Sequence, residues 1–284
     1  MVATADKRSR VAVWLRGDGI EIGALHRPLV APPGARVTYV DRLPDAELRA
    51  HYPELNGMPF APVTALGTAE DLSAFADSSL DFVIANHLLE HLPDPIAGLM
   101  EFHRVLRPDG ALYMALPDSR VTFDSTRELT SPEHIIEEHR HGTGSNRAAH
   151  YRDWVVNAEK RVDDADARIA ELMEMDYSIH FHCWRADTFI EFLLAAEKEA
   201  GIDFEIAAFA PPEHPADDEF ILLLLKGKSA TVRLPPTPMA FPAPLPRIRS
   251  LPAKAWRTLV LEGPRPLLKK SSAYLKRRSS RNGG

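Results

Sequence analysis

The segment LDFVIA, residues 80–85, has five apolar residues in six. A strand of that composition has no polar side to show to water, so it belongs at the centre of a sheet covered on both faces. Helices on both faces of a mostly parallel sheet supply that cover. The rest of the chain agrees, because from residue 11 to about 226 apolar runs of strand length alternate with amphipathic segments. The pattern predicts strands near 19–23, 37–41, 62–66, 80–85, 110–116, 204–209 and 219–226. Helices are expected at 45–51, 69–76, 93–106, 151–174 and 186–200, the last running from Asp187 as a cap to a stop at Gly201.

Two intervals break the alternation. Pro28, Pro32 and Pro33 follow the first strand, and proline removes a donor and clashes with the preceding turn, so this crossover is expected to be irregular. The interval 117–185, rich in His, acids and Trp, follows the fifth strand. An insertion there would cover the carboxyl ends of the sheet, where ligands bind in α/β folds, and is read as a helical cap.

Charge divides the chain further. Residues 1–225 hold 20 Lys and Arg against 39 acids, while 226–284 hold 14 against one. A body of charge −19 argues against nucleic acid as the main ligand. Beyond it, seven prolines between 235 and 252 predict a semi-rigid linker, and 253–284 a basic amphipathic tail. In PLLKKSSAYLKRRSSR, Leu267, Leu268, Tyr274 and Leu275 share a helical face, which suits peripheral contact with an anionic membrane. The alternatives are a solvated basic tail or one that folds against the acidic body. The expected organisation is thus a domain over 1–228, a linker over 229–252 and a tail over 253–284. No apolar run reaches the roughly 18 residues of a membrane span, and the basic N-terminus has no apolar core behind it, so the expected location is the cytoplasm. The single Cys183 fits a reducing compartment and is read as a buried small hydrophobe.

The opening EIGALHRPLVAPPGARVTYVD, residues 21–41, is built like the start of a mononucleotide-binding unit, with Gly23 as the one glycine where a glycine-rich loop is expected. Asp41, closing the second strand, can accept hydrogen bonds from both hydroxyls of an adenosine ribose, or simply end a strand at the surface. Asp71 in TAEDL can receive an adenine amino group or cap a helix start. Gly23 lets the backbone approach a ligand without a Cβ in the way.

Two further motifs, SSLDFVIANHLLEHLPDP at 78–95 and EFHRVLRPDGALYMALPD at 101–118, complete the pattern in order and spacing. Together these residues resemble the class I S-adenosylmethionine-dependent methyltransferases over about residues 11–228. The resemblance implies a Rossmann-like sheet of seven strands, mostly parallel with an antiparallel last strand, and S-adenosylmethionine as the methyl donor. It implies donor contacts at Glu21, Gly23, Asp41, Asp71 and Asn86. The further glycines usual in that family are replaced by Ala24, Leu25, His26, Arg27 and Pro28. With "EIGALHRP" and "HFHCW" the chain is most similar to a bacterial subgroup commonly encoded among glycan-assembly genes. A donor without phosphate does not need a row of bare amides. Its carboxylate can be gripped by Arg27 beside His26, unless Arg27 is simply an exposed loop residue.

Methyl transfer from a sulfonium is an in-line displacement, so the enzyme must align the acceptor and, for an alcohol, remove its proton. The interval after the fifth strand offers Asp118, Asp124, His134, His139, His141, His150, His180 and His182. Asp118, His180 and His182 are the first choices as catalytic residues, followed by His134 and His150. If SIHFHCW is extended, His180, His182 and Trp184 share a face. A histidine pair supplies too few ligands for a metal, and no metal site is assigned. His87, His91, His103 and Trp154 are read as packing residues. The expected acceptor is a sugar or cell-envelope glycan. The alternatives are a lipid, a quinone-like ring or a small natural product, or a non-catalytic donor-binding partner of glycan assembly. A nicotinamide dehydrogenase would need three glycines and a regular helix after the first strand.

Overall fold

A computed structural model describes residues 6–55, 57–214 and 217–227. The expected linker over 229–252 and tail over 253–284 lie outside the described residues. In chain order the elements are α1 (Lys7–Ala12), β1 (Gly17–Ile22), β2 (Ala35–Asp41), α2 (Asp45–His51), β3 (Ala65–Leu66), β4 (Leu80–Asn86) and α3 (Pro95–Val105). There follow β5 (Leu106–Pro117), α4 (Pro132–His141), α5 (Arg147–Asp153), α6 (Ala165–Glu174), α7 (Ala186–Ala200), β6 (Phe204–Ala210) and β7 (Glu219–Lys226).

The strands form one seven-stranded sheet in the order β3-β2-β1-β4-β5-β7-β6. All neighbours are parallel except β7, which runs antiparallel to both β5 and β6. This is the Rossmann-like sheet that the sequence implied. As expected of LDFVIA, Phe82, Val83, Ile84 and Ala85 are fully buried at its centre. One face packs Phe82, Ile84, Tyr113 and Leu223 against Leu15 and Val11 near α1. Each such side chain contributes roughly 1.5–3 kcal/mol on burial. Cys183 is buried too.

Three expectations change. Residues 69–76 form turns rather than a helix. Glu101 of α3 accepts the Leu72 amide at 2.8 Å, and Arg104 donates to the carbonyls of Leu72 and Phe75 at 3.0 and 2.9 Å. With those backbone groups taken by side chains, the helical ladder has nothing to gain. The strand expected at 62–66 shortens to Ala65–Leu66. The helix expected over 151–174 is broken: α5 ends in a π-helical turn at Trp154–Ala158, Lys160 takes a left-handed φ of 60°, and α6 starts at Ala165. The break folds the two halves together, so that Tyr151 and Val155 pack on Ala165, Ile169 and Leu172 with Ile179 and Phe181. A straight helix would leave that apolar surface in water.

The short α1 was not anticipated; Asp6 caps it by accepting the Ser9 amide at 2.8 Å. It fastens to the start of β7, where Lys7 donates to Asp217 and to the Glu219 carbonyl, and Arg8 grips the Glu219 carboxylate with two nitrogens.

Candidate active site

In this strand order the chain departs in opposite directions from β1 and β4, so the crevice at their carboxyl ends is the switch point where ligands bind. The backbone turns sharply there: Gly23, Leu25 and His87 have φ of 69°, 46° and 47°. A side chain in that region costs roughly 1–2 kcal/mol, and such strain collects at functional sites. The crossover from Gly23 to Gly34 is irregular, as its prolines require. Glu21 holds it down. Its carboxylate, 1% exposed, accepts the Leu29 amide on both oxygens at 2.9 and 3.0 Å, and the Asn86 amide at 3.3 Å. Burial outweighs these bonds and pushes the Glu21 carboxyl up to about 7.

Around this point stand the residues expected to meet the donor. Asp41 is buried at the end of β2, accepts the neighbouring Arg42 amide at 2.7 Å, and is raised by burial against that bond and the Leu43 amide. Asn86 Oδ1 and His26 Nδ1 are buried without a hydrogen-bond partner among the described residues. A Cβ on Gly23 would meet nothing nearer than Leu88 Cδ1 at 3.7 Å, so it is conformation rather than space that selects glycine. Arg27 is exposed and makes no side-chain hydrogen bond or ion pair among the described residues. Asp71 is exposed; its side chain closes its own turn by accepting the Ser73 amide at 3.0 Å. A buried acid where the ribose contact was expected and two orphaned polar atoms beside it fit a donor that carries hydroxyls and an amino-acid end.

The cap lies over the turn that follows β4. Phe181 and His182 both donate their amides to the Glu90 carbonyl, at 2.7 and 3.2 Å, and Thr130 and Cys183 exchange bonds on the other side. Two amides on one carbonyl depart from a regular strand, and of the face expected to be shared by His180, His182 and Trp184 only His182 and Trp184 stay together. His180 instead packs with His91 at 4.6 Å, Phe123 at 4.8 Å and Trp154 at 5.4 Å between ring centroids. Its Nδ1 lies 2.7 Å from Asp124 Oδ2. Asp124 in turn accepts from Arg127, which also binds Asp153; burial opposes the Asp124 charge, but His180 and Arg127 hold its pKa down. His182 sits in a different group with His134, His150 and Trp184, at ring distances of 6.5, 5.5 and 5.4 Å. Burial and the nearby His150 push its imidazole down to about 3.

Asp118 is fully buried and spends both carboxylate oxygens on Arg120, at 2.9 and 2.6 Å. The five residues chosen from the sequence thus separate into His180 with Asp124, His182 with His134 and His150, and Asp118 apart. His139 is held by Asp94 at 2.8 Å. Trp154 and His91, read from the sequence as packing residues, line the His180 group. Glu90 and Glu138 were missed, although NHLLEHL and HIIEEH place each acid three or four residues from a histidine.

Glu90 is fully buried and neither of its oxygens has a hydrogen-bond partner among the described residues; His87 Nδ1 approaches to 3.5 Å. His87 Nε2 reaches Glu219 at 2.9 Å, so Arg8, Glu219, His87 and Glu90 form an ionic chain from α1 to the end of β4. Burial works against the charge on His87, but the bond to Glu219 and the nearby Glu90 carboxylate raise it to about 9. Burial likewise opposes the charge on Glu219, and Arg8 and His87 hold it well below the usual carboxylate range. His91 is pushed down to about 4 by desolvation and by His180. Two groups have ligand atoms within 4.8 Å of one another, Glu90 with His91 and His180, and Glu138 with His134 and His150.

The sheet order places a crevice at the carboxyl ends of β1 and β4, where α/β folds bind their ligands. Residues 17–114 match the methyltransferase domain family, and the strand order is the one implied by the resemblance to class I S-adenosylmethionine-dependent methyltransferases. A ubiquinone biosynthesis O-methyltransferase of Xanthomonas oryzae pv. oryzae is 28% identical over 160 residues, 52% of this chain and 63% of that protein. A demethylmenaquinone methyltransferase of Chlorobaculum parvum is 35% identical over 97 residues, 34% of this chain and 37% of its own. The chain thus spans less than two thirds of the curated relatives it matches. Among solved structures, a SAM-dependent methyltransferase of Methanosarcina mazei aligns with 78% of this chain and 98% of its own, at 20% identity and a TM-score of 0.41. Among the described residues no helix is long and apolar enough to cross a membrane.

Proposed function

We propose that the protein transfers a methyl group from S-adenosylmethionine to a hydroxyl of a sugar or cell-envelope glycan. The observation that carries this reading is the His180–Asp124 pair, 2.7 Å apart and buried beside the turn that follows β4. The donor supplies an activated methyl on a sulfonium. The chain supplies alignment and a proton acceptor. Asp124 accepts a hydrogen bond from the Nδ1–H of His180 and fixes its tautomer, which leaves Nε2 as the base for the acceptor hydroxyl. Arg127, itself held by Asp153, grips Asp124 from behind. Phe123, 52% exposed, and Trp154 present aromatic surface beside the imidazole, a platform on which a pyranose ring packs. Glu21, Asp41, Asn86 and His26 hold the donor, and Arg27 is free to turn toward its carboxylate. A role at the inner face of the membrane, with the basic tail as contact, belongs to the same reading.

The relatives favour a second acceptor class, since two of them are named for quinone synthesis. A phenol of a quinone precursor would use the same base and stack on the same rings. Incubating the purified chain with labelled donor and, separately, envelope glycan fractions and reduced quinone precursors distinguishes the two. Label in the glycan fraction alone is the expected result, and label in the quinol fraction alone replaces the acceptor. Calorimetric titration with donor comes first, because absence of binding at millimolar donor would end both readings.

A further inference from the structure

The cap carries a second cluster that neither the donor crevice nor the His180–Asp124 pair uses. α4 sets His134 and Glu138 one turn apart on the same face, and α5 brings His150 against them. One ligand atom from each lies within 4.8 Å of the other two. His150 Nε2 is 2.8 Å from Glu138 Oε1, and His134 Nε2 is 3.3 Å from Oε2 without the geometry of a hydrogen bond. Glu138 is 2% exposed, so its Oε2 is a buried anionic oxygen without a hydrogen-bond partner among the described residues.

His182 completes the picture from the segment that lies over the β4 turn. Its ring is fully buried, and Nε2 lies 3.3 Å from the Pro93 carbonyl, which can only accept. The proton therefore sits on Nε2 and Nδ1 is a bare lone pair, also without a partner among the described residues. Buried polar atoms are rarely left so, and here two of them belong to neighbouring side chains.

We propose that His134, Glu138, His150 and His182 bind a first-row divalent cation of the zinc class. Three imidazoles and one carboxylate are a donor set that suits zinc rather than magnesium or calcium, which take oxygen ligands. With Zn–N near 2.1 Å, rings sharing one tetrahedral ion have centroids roughly 5 Å apart. The observed separations are 5.3 Å for His134–His150 and 5.5 Å for His150–His182; His182, at 6.5 Å from His134, stands outside the group whose ligand atoms lie within 4.8 Å and moves inward to complete the shell. One ion gives a partner to both orphaned atoms. It also fastens α4 and α5 to the segment that carries His180, so its first consequence is a rigid cap, independent of which acceptor is methylated. His134 is part exposed and gives the ion a way in.

The test uses the full chain, stripped with chelator and titrated with Zn²⁺ by calorimetry and with Co²⁺ by visible absorption. One ion per chain, the intense Co²⁺ bands of a four-coordinate site, and a Zn²⁺-dependent rise in melting temperature are expected. His150→Ala and Glu138→Gln should each weaken binding by at least about 100-fold, more than the loss typical of outer-sphere partners. His91→Ala should leave it unchanged. Should the variants fold poorly, diethyl pyrocarbonate labelling of the unaltered chain decides, with Zn²⁺ shielding His134 and His150 and not His141. Absence of stoichiometric binding, binding that survives His150→Ala and is lost in His91→Ala, or labelling indifferent to Zn²⁺ would each overturn the proposal.

Discussion

Glu21 should make the protein less stable as pH rises through neutrality, and replacing it with glutamine should abolish that slope. The carboxyl is buried at the end of β1, and its pKa rises from 4.5 to about 7 because burial outweighs the bonds from Leu29 and Asn86. A group whose pKa is higher in the folded state stabilises fully below its unfolded value, and that contribution is lost as pH rises through the folded value. The window here runs from 4.5 to about 7. At roughly 1.4 kcal/mol per pKa unit, this group alone costs about 2–3 kcal/mol between pH 5 and pH 8. In Glu21→Gln the amide oxygen still accepts the Leu29 amide, and a turn of the Asn86 amide would aim its orphaned Oδ1 at the new NH₂. Urea unfolding of both chains at pH 5 and pH 8 reads the difference. Carboxylates with lowered pKa values, Glu219 and Asp124 among them, are common to both chains and cancel. The variant should gain about 2–3 kcal/mol on the parent across that interval. A gap that is the same at both pH values would refute the electrostatic account of this site.

Other consequences are simpler. Asp124→Asn and His180→Ala should lower kcat by about 10²–10⁴ while donor affinity measured by calorimetry stays within twofold; equal loss of donor binding would place the pair in the donor site instead. Asp41→Asn should weaken donor binding by roughly 10–100-fold, the worth of a charge-assisted bond, with melting temperature little changed. Gly19→Ala should cost about 1–3 kcal/mol in urea unfolding, because a Cβ there would lie 2.3 Å from the Phe82 ring between β1 and β4. An unchanged midpoint would mean that Phe82 can move aside.

What the sequence made legible was local. Phe82 to Ala85 sit at the sheet centre because an apolar hexapeptide has one way to be covered, and the prolines at 28, 32 and 33 keep the crossover irregular through their own geometry. Gly23 and Asp41 lie at strand ends that the same alternation fixes. Residues 69–76 had the pattern of a helix, yet Glu101 and Arg104, some thirty positions further on, take the Leu72 amide and the Leu72 and Phe75 carbonyls. No window of sequence around Leu72 contains that information.

The cap shows the same limit where it matters most for function. Reading His180, His182 and Trp184 onto one face assumed an extended backbone, in which side chains two apart point the same way. The Glu90 carbonyl, by accepting both the Phe181 and the His182 amides, breaks that parity in the stretch between the two histidines. One imidazole then goes to Asp124 and the other to His134 and His150. Since Glu90 also carries the carboxylate at the buried end of the Arg8–Glu219–His87 chain, the residue that divides the histidines into two chemistries is tied electrostatically to α1 and the start of β7. Neither link spans fewer than about ninety residues of sequence along its whole path, and so the acid in NHLLEHL reads as one charge among many until the chain is folded.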